Sequence, residues 1–150
     1  MNDTITQPAP TSYQVTASTT SAGRALVSVG SEAITLDTAW ASAPSGLPGP
    51  AELLAAALAA CLLKNVERCG QILPFRYRHA EAVVTAHRQD APPAFTRFTY
   101  ELRLDTDEPE HRVDLLHRNL RRYGTVYNTL AATCEVQGSV VASPPAAAPS

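Results

Sequence analysis

The pattern of hydrophobic and polar positions changes period at a Pro/Gly-rich stretch, ASAPSGLPGP at 41–50. Before it, Tyr13, Val15 and Ala17 alternate with polar neighbours. ALVSV then follows the turn segment TTSAGR, and EAITLD follows Gly30 with Ile34 and Leu36 on one side. Alternation with period two marks half-buried strands, so this region predicts a three-strand meander. After the loop, GPAELLAAALAACLLKNVERCG at 49–70 reads as one long, nearly all-apolar helix. Pro50 is tolerated in its first turn and Gly70 stands just past its end.

From Phe75 the period returns to two. Phe75 and Tyr77 hold one parity and Ala82, Val84 and Ala86 the other, which predicts a bulge near His79. RFTYELRL at 97–104 predicts a strand with Phe98, Tyr100, Leu102 and Leu104 inward and Arg97, Thr99, Glu101 and Arg103 outward. DEPE then opens a helix, Asp107 as its cap with Glu110 three residues on, and Val113, Leu116, Leu120 and Tyr123 form the apolar stripe. Gly124 follows, then a further helical turn or two in TVYNTLAA and a last strand, EVQGSVV. The expected order is βββ-α-ββ-α-β, an α+β fold. One small sheet covers a single side of so apolar a helix, and the rest calls for a second subunit.

The ends, MNDTITQPAP (1–10) and SPPAAAPS (143–150), mix prolines with small and polar residues and predict disordered tails. Residues 11–142 remain as a single folded domain, within the size one core supports. With 12 basic and 14 acidic residues the chain has no field to attract nucleic acid or an anionic membrane. Its longest run of purely apolar residues, Leu53 to Leu63, is 11 residues, against about 20 for a membrane span. The first thirty residues lack a charged start followed by an apolar block, so the expected location is the cytoplasm. Thiols stay reduced there, so Cys61, Cys69 and Cys134 are not read as a disulfide scaffold. Neither they nor the four histidines show metal-ligand spacing, no cofactor is expected, and the histidines read as surface residues.

Cys61 is the residue that asks for chemistry. By position alone it is a small buried apolar residue. A thiol that attacks a peroxide does so as thiolate, and a free cysteine near pKa 8.5 needs a cation or a helix N-terminus to ionise well at neutral pH. Cys61 lies about ten residues into its helix, beyond the reach of the dipole, so the cation must come from a side chain. Lys64, Asn65 and Arg68 follow at i+3, i+4 and i+7, placing Cys61 where an apolar face turns polar. Cys69 is about 12 Å further along the axis, too far for a disulfide within an intact helix.

PAELLAAALAAC after a Pro/Gly loop, AGR in the first turn and YGTVYNTL in the second helix, in this order of elements, resemble the OsmC/Ohr family of thiol-dependent hydroperoxide reductases. The resemblance covers about 11–142. It implies an intertwined α+β homodimer with the cysteine helices at its centre and active sites at the subunit interface. It also implies a peroxide substrate and Arg24 as the arginine that contacts the reactive Cys61. The sequence departs from the family pattern at two places. Where two-cysteine members carry a second thiol in the second helix, this chain has Gly124. Glu52 stands one place later than the family glutamate, which turns it by about 100° on a helix. Two functions follow. One is a one-cysteine peroxidase with Cys61 as nucleophile, Arg24 as its cation, Glu52 as an orienter and an external thiol as reductant. The alternative is a non-catalytic domain that binds a small apolar molecule or a protein partner at the dimer interface.

Overall fold

The structure, a computed structural model, describes residues 11–20, 22–41 and 43–143; the tails expected at 1–10 and 143–150 lie outside the described residues except for Ser143, which ends the last strand. Its elements are β1 (Thr16–Thr19), β2 (Arg24–Val29), β3 (Glu32–Asp37), α1 (Pro50–Ile72), β4 (His79–Asp90), β5 (Pro93–Asp105), α2 (Glu110–Tyr123), α3 (Thr125–Ala131) and β6 (Glu135–Ser143). This is the expected α+β order, with the turns after Gly124 forming a helix of their own. The chain divides into two units, Met1–Pro50 and Ala51–Ser150.

The first unit is an antiparallel meander in the order β1-β2-β3. Its pairing sets Ala25 opposite Leu36, both of them buried. Tyr13 and Val15, expected in the first strand, precede it, and Tyr13 is 82% exposed. Gly23 takes φ +74, which a side chain disfavours, and an added Cβ would lie 3.1 Å from the Ala39 side chain. The Pro/Gly loop is tied down by Asp37, whose carboxylate accepts from the Ala39 amide (2.9 Å) and the Ser45 hydroxyl (2.6 Å). The Ser45 bond, then the Ala39 bond, hold that carboxyl below its ordinary range.

The second unit carries a sheet in the order β4-β5-β6, antiparallel between β4 and β5 and parallel between β5 and β6, with α2 and α3 as the crossover. Phe98 and Leu102 are 0% exposed, and Tyr100 and Leu104 are buried beside them, as the alternation of β5 requires. They form one apolar cluster with Leu58, Leu62, Val66 and Cys69 of α1 and Val113, Leu116 and Leu120 of α2. The opposite face of β5 is polar, and Arg103 there pairs with Glu101 and Glu81.

Four local expectations change. The parity switch near His79 is the junction between an irregular segment, which buries Phe75, and the start of β4; the register shift lies at His87/Arg88. Helix α1 runs through Gly70 to Ile72, and the Cys69 carbonyl accepts from the Leu73 and Phe75 amides beyond it. Asp107 does not cap α2, because its carboxylate is held by Arg78 at 2.7 Å; Pro109 is the N-cap and makes no side-chain cap bond. Tyr123 leaves the α2 stripe and is 47% exposed.

His117 is not a surface residue. It is half-buried, and its Nε2 lies 2.6 Å from the Tyr100 hydroxyl. Gly138, opposite Tyr100 in the register, leaves room for that ring, since any Cβ at 138 would overlap it. Burial pushes Tyr100 up to about 12, so at neutral pH it is a phenol. Burial first, and then Arg121, pull His117 below its ordinary 6.5. The unfolded chain therefore takes up this proton before the folded one does. Stability that is complete above about pH 6.5 is lost as pH falls through the lowered folded value. The difference in urea midpoint between pH 7.5 and 5.0, on the order of the range that brackets this titration, should be smaller in His117→Gln than in wild type. An equal drop in both would show that His117 does not couple to folding.

Candidate functional site

Helix α1 positions the candidate thiol. Its alanines and leucines favour helix, and Pro50 stands at its first residue, where the missing N–H costs nothing. Leu58, Leu62, Val66 and Cys69 recur at helical spacing and fill the core. Cys61 sits at the margin of that stripe, half-buried and packed against the cluster. One turn on, buried Asn65 donates its amide to the Cys61 carbonyl at 2.9 Å and approaches Sγ at 3.8 Å. An N–H aimed at sulfur is better accepted by a thiolate than by a thiol. The sequence shows Asn65 only as part of a polar face; its i+4 spacing is the signal that finds this contact.

Gly124 lies against the thiol although 63 residues separate them in the chain. It joins α2 to α3 with φ −73 and ψ 112, so the positive φ of a helix-ending glycine is absent. What requires glycine is close approach: a Cβ at 124 would stand 2.8 Å from the Leu120 carbonyl oxygen, 3.0 Å from Tyr127 Cβ and 3.1 Å from Cys61 Sγ. Just before it, Tyr123 is stacked by two guanidiniums, Arg68 with Cζ 4.4 Å from the ring centroid and Arg122 at 5.3 Å.

Lys64 is exposed. Glu52 is exposed in the first turn of α1 and inside the helix, nine residues before Cys61, which puts it on about the opposite side of an ideal helix. Arg24 opens β2 in the first unit, exposed, its carbonyl accepting from the Thr19 hydroxyl at 2.6 Å. Cys69 is fully buried, which raises its pKa. The Cys134 thiol donates to the Phe95 carbonyl at 3.3 Å, and all three cysteines are free. A cleft of about 350 Å³ lined by Arg76, Tyr77, Arg78, Asp107 and Glu108 and one of about 180 Å³ beside Tyr100 and Arg121 both lie away from the thiol's own contacts. Among the described residues no cluster of His, Cys, Asp or Glu could hold a metal, and no helix is long and apolar enough to cross a membrane.

Fold and site together define an α+β protein with a half-buried thiol on a long alanine-rich helix. A family model described as OsmC-like protein matches residues 43–138, and the chain belongs to that family. Its structure is similar to an OsmC-like protein from Mycoplasma pneumoniae, with TM-score 0.78 and 18% identity over 87% of this chain and 96% of that one. It is also similar to an organic hydroperoxide resistance protein OsmC from Legionella pneumophila (TM-score 0.70, 16% identity, 86% and 97% covered). The organic hydroperoxide resistance protein OhrB of Bacillus subtilis gives 0.62 at 16% identity, with 86% and 97% covered. No curated protein sequence matches the chain.

The Gly124 contact can be tested by chemistry. In an ordinary disulfide, with its S–S bond of about 2.05 Å, each Cβ lies about 3 Å from the far sulfur. The 3.1 Å from the Cβ position at 124 to Cys61 Sγ meets that requirement. Gly124→Cys, with Cys69 and Cys134 replaced by serine, should lose two hydrogens in intact mass on treatment with one equivalent of hydroperoxide. Peptide mapping should show a 61–124 crosslink within one subunit. The Leu120 carbonyl contact should cost the reduced variant about 1–3 kcal/mol. A folded variant whose two thiols stay free or over-oxidise separately would contradict this geometry.

Proposed function

We propose that the protein is a one-cysteine, thiol-dependent hydroperoxide reductase that works as a homodimer in the cytoplasm. The Cys61 thiolate attacks the terminal oxygen of R–O–O–H and breaks the O–O bond. Cysteine becomes sulfenic acid, and the departing alkoxide takes a proton from solvent as ROH. An external thiol then attacks the sulfenic sulfur, releasing water and leaving a mixed disulfide. A second thiol releases Cys61 and carries away the external disulfide, so the two thiols supply the two electrons that reduce the peroxide.

The observation that carries this reading is the approach of Gly124 to Sγ. The position at which the two-cysteine pattern brings its second thiol stands beside Cys61 here and bears no side chain. Cys69 is buried in the core and Cys134 is bonded to Phe95. Reduction therefore has to come from outside the chain. Arg24 is assigned as the cation that favours the thiolate. Glu52 faces away from Cys61 and is given no step within its own chain. The dimer is supported by α1: Ala56, Ala60 and Leu63 share a side of it and are exposed, an apolar stripe that a second subunit would cover.

Peroxide consumption measured with several small thiols tests the chemistry. Wild type should turn over and Cys61→Ser should fall to the uncatalysed background. Arg24→Ala should slow alkylation of Cys61 at pH 7 relative to wild type, because it removes the cation assigned to the thiolate. A folded wild type that consumes no peroxide with any thiol would leave the binding-domain reading in its place. Assembly has a separate check, because a shared core ties the dimer to folding. Sedimentation at micromolar concentration should show only dimer, and a folded monomer there would refute it.

A further inference from the structure

The guanidinium of Arg68 is the polar group whose surroundings leave most unexplained. Its Nη1 is buried with no hydrogen-bond partner, and among the described residues neither Arg68 nor Arg122 makes an ion pair. Buried donors are ordinarily paired, and an unpaired one on a charged group is costly. Stacking on Tyr123 holds the Arg68 fork in place and partly strips its water, while Arg122 brings a second positive charge to the same ring. Two like charges on one aromatic with no acid between them are arranged for an anion that the chain does not supply. A planar fork is matched in particular by a carboxylate.

Where this pair stands decides which carboxylate. Arg68 lies two turns beyond Cys61 on the same side of α1, and Tyr123 immediately precedes Gly124, whose Cβ position is 3.1 Å from Sγ. The charge pair therefore stands about 10 Å along α1 from the thiol, on the residue that adjoins position 124, from which a second sulfur would arrive. We propose that Arg68, with Arg122 across Tyr123, captures the carboxylate of the external thiol reductant, so that small carboxylate-bearing thiols are preferred over neutral ones. This rests on the reading of Cys61 as the reacting sulfur. The peroxide step involves neither arginine. In the reductive step the captured thiol's sulfur bonds to the sulfenic sulfur, hydroxide leaves with the thiol proton as water, and a second thiol completes the two-electron reduction.

The test separates the capture site from the peroxidase activity. In a background with Cys69 and Cys134 replaced by serine, Cys61 is reacted with dithiobis(nitrobenzoate), a dianionic aromatic disulfide, and with neutral dithiodipyridine. The ratio of the two rates cancels changes in intrinsic thiol reactivity. Arg68→Met should lower that ratio about tenfold and Arg122→Met by a smaller factor, as expected for loss of a charge-assisted bond. High salt should narrow the gap in wild type. In turnover with cumene hydroperoxide, the ratio of kcat/KM for mercaptopropionate over mercaptoethanol should fall in the same order. An unchanged disulfide ratio in both variants overturns the proposal. So does a charge preference that follows a carboxylate on the peroxide and not one on the thiol. If the disulfide ratio falls but no thiol supports peroxide turnover, the capture site stands and the peroxidase reading fails. Arg122→Met changes an exposed side chain, so the test survives even if Arg68→Met does not fold.

Discussion

The packing of one stripe of α1 into the core of the second unit is the constraint on which the rest depends. Leu58, Leu62 and Val66 are almost wholly removed from water together with Phe98, Leu102, Leu116 and Leu120. Burying each such side chain is worth about 1.5–3 kcal/mol, so three on one helix contribute an amount comparable to the whole net stability of a small domain, about 5–15 kcal/mol. The helix therefore cannot rotate about its axis to suit the thiol. Cys61 is placed by its phase against that stripe, at its edge and half-covered, with Asn65 beside it as the next residue up the same side.

The same constraint explains why so much of the fold is legible in the sequence. Period 3.6 in α1 and α2 and period two in β5 are direct consequences of burying one face, and both can be read from the order of residues. What is missed depends on competition between partners distant in sequence. Asp107 has the spacing of a cap, but the Arg78 guanidinium offers its carboxylate a stronger partner than a backbone amide does. Tyr123 has the spacing of a core residue, yet the stacking of Arg68 and Arg122 holds it outside. His117 looks like any exposed helix position until Tyr100, 17 residues away on a strand, is known to reach its ring.

The candidate site divides along the same line. Cys61 and the polar face after it follow from helical spacing. The meeting of Cys61 with Gly124 follows only from the resemblance, since no periodicity links residues 63 apart. Its cause, an approach that would leave a Cβ at 124 only 2.8–3.1 Å from its neighbours, is visible only in three dimensions. Arg24 and Glu52 rest on motif position. The structure puts Glu52 inside α1, on the far side from the thiol, and Arg24 at the head of a strand in the other unit.

Under the proposed function, a glycine beside Cys61 does more than leave out a second thiol. With a cysteine at 124 the reducing sulfur would be delivered by the fold, at an effective concentration no free thiol reaches, and the identity of the external reductant would matter only afterwards. On the proposed reading, with glycine at 124 the first sulfur to meet an oxidised Cys61 diffuses in, so selecting it becomes a problem of recognition at the surface around the thiol. Peroxide is small and presents little to recognise, whereas a thiol cosubstrate brings a body with charge and shape. Specificity in such a protein is then expected in the residues that flank the missing sulfur. The Leu120 carbonyl and Tyr127 close the space at 124 itself, which leaves Tyr123 and the cations stacked on it as the adjoining surface able to discriminate.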